Sequence, residues 1–195
     1  MNELFDNEKE LQKYLAEVVS GKIKNNAKIC DVGFDNVFFM QKLIDKNIKF
    51  NYYGTDIFDE TVEPAKEYIN KHKLLNCVVE KLPFQQLTRN DFNVCTCFRL
   101  FHHFDKNLTI EFLEKMLKTI NYTGVIYLSD SIRDFNNRKD RYSYTPYFYL
   151  NEITKLAKKR SIKVKHSENA ELNVGELWIM EIKLTKDSCE FALYK

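Results

Sequence analysis

Glycine and proline are scarce in this 195-residue chain, five and three respectively. That leaves no composition for a flexible linker, a collagen-like repeat or a low-complexity tract. No run approaches the roughly 20 apolar residues that a membrane helix needs. The first fifteen residues, MNELFDNEKELQKYL, carry acids where a secretory leader needs an apolar run, so a cytoplasmic location is expected. Charge of one sign is not in excess: the net is +2. Such a balance makes no demand for nucleic acid or an anionic membrane as partner. The cysteines number five, an odd count in a chain long enough to build its own core. Reduced thiols fit better than a disulfide framework.

What is present fits one soluble α/β domain over residues 1–195, with a leading helix in 1–22 and a core in 27–185. Leu11, Tyr14, Leu15 and Val18 recur at helical spacing, and Gly21 is placed to end that helix. Apolar strands at 28–32, 50–57, 76–79, 94–98 and 125–129 alternate with amphipathic helices. This alternation predicts a mostly parallel sheet with helices on both faces. Two further strands, 161–166 and 176–184, are joined by about ten residues, too few for a helical crossover, so they are expected to pair antiparallel.

The stretch AKICDVGFDNVFFMQKL at 27–43 organises the chain. A short strand runs into Asp31-Val32-Gly33, a tight turn follows, and a helix carries Phe38, Phe39 and Leu43. Strand, glycine turn and helix in that order make a corner suited to a nucleotide. Asp35 or Asn36 is placed to cap the helix. Asp56 closes the second strand, 23 residues after Gly33. A carboxylate there accepts hydrogen bonds from both hydroxyls of a ribose.

These residues resemble the first motif of class I S-adenosylmethionine-dependent methyltransferases, Asp-x-Gly-x-Gly-x-Gly with an apolar residue six positions on. Asp31, Gly33 and Leu43 match it, while Asp35 and Val37 stand at its second and third glycines. The likeness extends over residues 27–185. Phe92-Asn93-Val94-Cys95 with Leu100-Phe101-His102-His103 is similar to the family's Phe-Asp-x-Val and Leu-His-His. Leu82-Pro83-Phe84 is similar to its Leu-Pro-Phe loop, and Asn121-Tyr122-Thr123-Gly124 stands at its Pro-Gly turn. The resemblance implies a three-layer Rossmann-like fold, with a seven-stranded, mostly parallel sheet whose last strand is antiparallel. It implies S-adenosylmethionine as cofactor. Asp31, Gly33 and Phe34 would line the methionine end, Asp56 the ribose, and Ile57, Glu80 and Leu82 the adenine. Cys97 and Phe98 would sit near the sulfonium.

His102 and His103 are candidates for a general base. Adjacent residues point in different directions, so at most one serves. Cys95 and Cys97 share one face of a strand with no further ligand to complete a metal site, and read as core. The basic run at 158–166 reads as a solvated surface rather than a nucleic-acid contact. Arg133, Arg141 and Tyr144 lie in a polar, aromatic stretch after the fifth strand, where an Arg can clamp an anionic acceptor and a Tyr can stack on a ring. No Asn/Asp-Pro-Pro-aromatic motif follows the fourth strand, which counts against nucleobase amino groups. The sequence therefore points to methyl transfer to the O, N or C of a small molecule. The alternative is a methyltransferase-like protein without turnover that binds or regulates a protein partner, as Asp35 and Val37 would allow. A nicotinamide enzyme would need Gly-x-Gly-x-x-Gly, which is absent.

Overall fold

The computed structural model describes residues 8–131, 146–159, 163–166, 177–185 and 188–194. Arg133, Arg141 and Tyr144 lie outside the described residues. In chain order the helices are α1 (Glu8–Ser20), α2 (Phe38–Asp45), α3 (Asp59–Lys71), α4 (Lys106–Thr119) and α5 (Pro146–Lys159). The strands are β1 (Ala27–Val32), β2 (Phe50–Asp56), β3 (Cys77–Lys81), β4 (Phe92–Phe98), β5 (Ile120–Ser131), β6 (Lys163–His166), β7 (Leu177–Leu184) and β8 (Ser188–Tyr194).

One sheet takes them in the order β3-β2-β1-β4-β5-β7-β8-β6. β1 is central and covered on both sides, so only Lys28 in it is exposed. Its neighbours β2 and β4 run parallel to it. β7 is antiparallel to β5 and β8, as expected of the seventh strand. The sheet has an eighth strand beyond the seven expected. The expected pairing of β6 with β7 is also corrected: β8 folds back on β7 and inserts between them, and β6 pairs with β8 in parallel. The turn before β8 is closed by the Thr185 amide donating to the Ser188 carbonyl at 2.7 Å. The turn expected at 121–124 is drawn into β5, where the register shifts between the Phe92↔Ile120 and Val94↔Val125 pairs.

Two apolar clusters fill the faces. Leu11, Leu15, Ala16 and Val19 of α1 pack with Phe39, Met40 and Leu43 of α2 and with Val62 and Ala65 of α3 on one side. Phe112, Leu113 and Met116 of α4 pack with Tyr149 and Ile153 of α5 on the other. Leu15 and Val19 are wholly buried. Full burial of each contributes about 1.5–3 kcal/mol, which holds α1 on the sheet. Asp105 caps α4, its Oδ1 accepting from the Leu108 amide at 2.8 Å.

Strand order reverses between β1 and β4, since β2 and β3 extend to one side and β5 to the other. A crevice opens outside the carboxyl ends of the strands at such a switch point.

Candidate active site

Gly33 leaves β1 with φ +64. That left-handed conformation suits glycine. Its amide donates to the Thr55 carbonyl at 2.8 Å, which ties the turn to β2. A Cβ on Gly33 would lie 3.0 Å from Leu100 Cδ2, so the glycine also makes room for the chain leaving β4. Asp35, at the motif's second glycine, has φ 51. The turn keeps its left-handed residue because Asp tolerates that region better than most side chains. Neither candidate cap is the N-cap of α2, which is Val37 without a side-chain bond; Asn36 Oδ1 instead accepts from the Phe38 amide at 2.9 Å. Val37, at the third glycine, is half-buried and packs against the cluster that joins α1 and α2.

A cleft sits over this turn. Asp31, Gly33 and Phe34 form its floor, Asp35, Asn36, Phe38 and Phe39 its wall, Phe98 one side, and Gln12 and Ala16 of α1 its roof. Its volume is about 20 Å³, room for about one water. Gln12 closes it: the side chain donates to Asp35 Oδ2 and accepts from Asn36 Nδ2.

Asp31 is 2% exposed. The Tyr52 hydroxyl donates to its Oδ2 and the Thr96 hydroxyl to its Oδ1, both at 2.6 Å. Burial pushes the Asp31 carboxyl up to about 6, the charge of Asp56 adds to the rise, and the two hydroxyl donors oppose it. Burial and the neighbouring carboxylate push the Tyr52 phenol well above its ordinary value, so it remains a donor. Neither Tyr52 nor Thr96 was singled out by the sequence, because each reaches Asp31 from an adjacent strand.

Asp56 ends β2 with one oxygen committed to the chain. Oδ1 accepts from the Ile57 amide at 2.7 Å and the Phe58 amide at 3.1 Å. This fixes the carboxylate at the entrance of α3. Ile57 and Phe58 are each 54% exposed, an apolar surface beside the acid. The Leu82 amide donates to the Asp56 carbonyl at 2.9 Å, which brings the loop after β3 alongside. Glu80 accepts from the Tyr53 hydroxyl at 2.6 Å. Phe34 lies over Gly54, where a Cβ would come within 2.9 Å of its ring.

Cys97 sits in the core, as its strand spacing implied, and does not line the cleft beside which the resemblance put it. β4 alternates, so Phe98 turns to the cleft and Cys97 to the cluster under α4 and α5, where it is wholly buried. Burial holds its thiol well above the ordinary value, and it is inert core. Cys95 shares that face, as its spacing predicts.

The two histidines are told apart by Asp130, at the carboxyl end of β5 and wholly buried. Asp130 Oδ2 accepts from the His102 amide and Oδ1 meets His102 Nδ1, each at 3.1 Å. His102 is held by two bonds to one carboxylate, while His103 is exposed and stacks on it with ring centroids 4.0 Å apart. Asp130 lies 28 residues from His102, beyond what sequence spacing revealed.

The glycine turn and its cleft lie at the switch point of the sheet, and Asp56 ends the neighbouring strand β2. Residues 23–190 match the methyltransferase-domain family model, and the chain belongs to that family. No curated protein matches it in sequence. Among solved structures, it is similar to a provisionally assigned O-methyltransferase of Nostoc punctiforme, at 14% identity and TM-score 0.63 over 89% of this chain and 57% of that one. It is also similar to a SAM-dependent methyltransferase of Aquifex aeolicus, at 20% identity and TM-score 0.59 over 81% and 85%. The mitomycin 7-O-methyltransferase MmcR aligns at 15% identity and TM-score 0.62 over 90% and 54%. The chain thus spans little more than half the length of the Nostoc and mitomycin proteins. These likenesses establish the fold. Among the described residues no helix is long and apolar enough to cross a membrane.

Proposed function

We propose that this protein is an S-adenosylmethionine-dependent methyltransferase with a small-molecule acceptor. The observation that carries the reading is Asp56. Its Oδ1 is spent on two amides, which leaves Oδ2 to a ligand beside the exposed Ile57. That pairing of an oriented acid with an apolar shelf suits a ribose and its base. The residues fit the cofactor at this end as they stand. At the methionine end Asp31 and Asp35 suit an ammonium, and Gln12 must rotate away from Asp35 and Asn36 to admit it.

S-adenosylmethionine, when bound, supplies a methyl group already activated on a sulfonium. The protein's work is then alignment of the acceptor. Phe98 and Phe39 pack edge to face, ring centroids 5.7 Å apart, and form an apolar side of the cleft. His102 is the proposed base. A proton on Nδ1, donated to Asp130 Oδ1, would leave the Nε2 lone pair to act as the base. Asp130 acts as a positioning residue and stabilises the imidazolium once the acceptor proton arrives.

The test is transfer of a labelled methyl group to a panel of small anionic and aromatic compounds. Asp130→Asn should lower kcat with KM little changed, and added imidazole should restore His102→Gly. Equal activity of all three proteins would remove His102 and Asp130 from the mechanism. A second reading, a binding protein without turnover, is favoured by the Gln12 bridge that shuts the cleft. Absence of label transfer together with absence of cofactor binding would support it.

A further inference from the structure

The cleft is lined by two acids and no base: Asp31 on its floor and Asp35 on its wall. An amino-acid end carries a carboxylate as well as an ammonium, and both acids repel that carboxylate. The compensating charge stands on α1. Lys9 Nζ lies 5.9 Å and Lys13 Nζ 5.5 Å from the centroid of the Phe38 ring, which itself lines the cleft. The two lysines are one turn apart on the helix that supplies Gln12 and Ala16 to the roof. Like charges so placed repel each other. Among the described residues neither is in an ion pair, whereas Lys42 and Lys46 both engage Glu17. Two ammoniums gathered on one aromatic ring that lines an acidic cleft form the half of a zwitterion site that the cleft lacks.

We propose that Lys9 and Lys13 clamp the carboxylate of an amino-acid-bearing nucleoside, while Asp31 and Asp35 face its ammonium. This rests on the cofactor reading above and assigns α1 a binding role within it. Helix α1 stays docked by Leu15 and Val19, and Gln12 has to swing aside. The clamp offsets the loss of the motif's second glycine: Asp35 brings a charge to the turn, and α1 answers it.

The test compares S-adenosylhomocysteine with 5′-deoxy-5′-methylthioadenosine, which keeps the nucleoside and sulfur but has no amino-acid end. Calorimetric titrations would use the full chain, the Lys9→Gln/Lys13→Gln double variant, and Lys24→Gln as a control on an exposed loop. The double variant should weaken S-adenosylhomocysteine by about two- to tenfold, as expected for two partly exposed charge pairs. Methylthioadenosine should be unaffected by either substitution. Raising salt should weaken S-adenosylhomocysteine binding to the unsubstituted chain and have little effect on the double variant. Unchanged affinity for S-adenosylhomocysteine, or equal weakening of both ligands, would overturn the clamp and leave the nucleoside site standing. Failure of the unsubstituted chain to bind either ligand would overturn both.

Discussion

Replacing Asp31 by Asn should make the protein less sensitive to pH. In the folded chain the carboxyl is wholly enclosed and pushed up to about 6, against an ordinary value of 3.8. The sign follows from proton linkage. Between those two values the folded state holds a proton that the unfolded state has released. The stability carried by protonated Asp31 is therefore fully present below pH 3.8 and is lost as pH rises through about 6. A shift near two units corresponds to about 3 kcal/mol over the whole range, of which about 2 kcal/mol falls between pH 4.5 and pH 8. Asn carries no titrating proton. One of the hydroxyls of Tyr52 and Thr96 must turn from donor to acceptor, but that cost is the same at every pH. Other carboxylates titrate alike in both proteins and cancel in the difference. Urea unfolding at pH 4.5, 6 and 8 should show Asp31→Asn gaining about 2 kcal/mol on the parent between the extremes. Parallel stability curves would refute the buried, ionisable Asp31 described here.

Gly54→Ala should cost about 1–3 kcal/mol by overpacking, because the new Cβ meets Phe34 at 2.9 Å, Tyr52 at 3.0 Å and Val79 at 3.1 Å. Thermal melts would detect it, and an unchanged midpoint would count against the Phe34 placement. Asp105→Ala removes the cap of α4 and should cost about 1 kcal/mol, while Asp105→Asn should recover most of it. Equal losses in the two variants would mean that the charge, not the bond to Leu108, matters.

The central strand, its glycine turn and the helix after it were legible because each signal is local. Gly33 needs its positive φ, Asn36 accepts from the amide two residues on, and Asp56 accepts from the next two amides. Helix α1 was equally plain from the spacing of Leu11 and Leu15. Strand β8 was overlooked, although Cys189 and Phe191 alternate with polar Glu190 behind a polar turn. Its position between β7 and β6 depends on long-range pairing that no local pattern encodes. The same limit hid Asp130, Tyr52 and Thr96, each of which meets a partner 21 or more residues away. The resemblance put Cys97 beside the sulfonium because it ends β4, whereas the pleat turns its thiol into the core, as the Cys-x-Cys spacing implied. Gln12 escaped notice for a related reason: a polar residue on an amphipathic helix looks solvated until the packing shows what it faces.

The measurement that tests the account most directly is calorimetric titration of S-adenosylhomocysteine into the chain and into Asp56→Asn. Asn retains an oxygen for the amides of Ile57 and Phe58, so the turn should hold while the charge is lost. The account predicts binding to the parent that weakens by about 10- to 100-fold in the variant, the range for hydrogen bonds to a charged group. No heat from the parent at millimolar ligand, or equal affinity in both proteins, would contradict it.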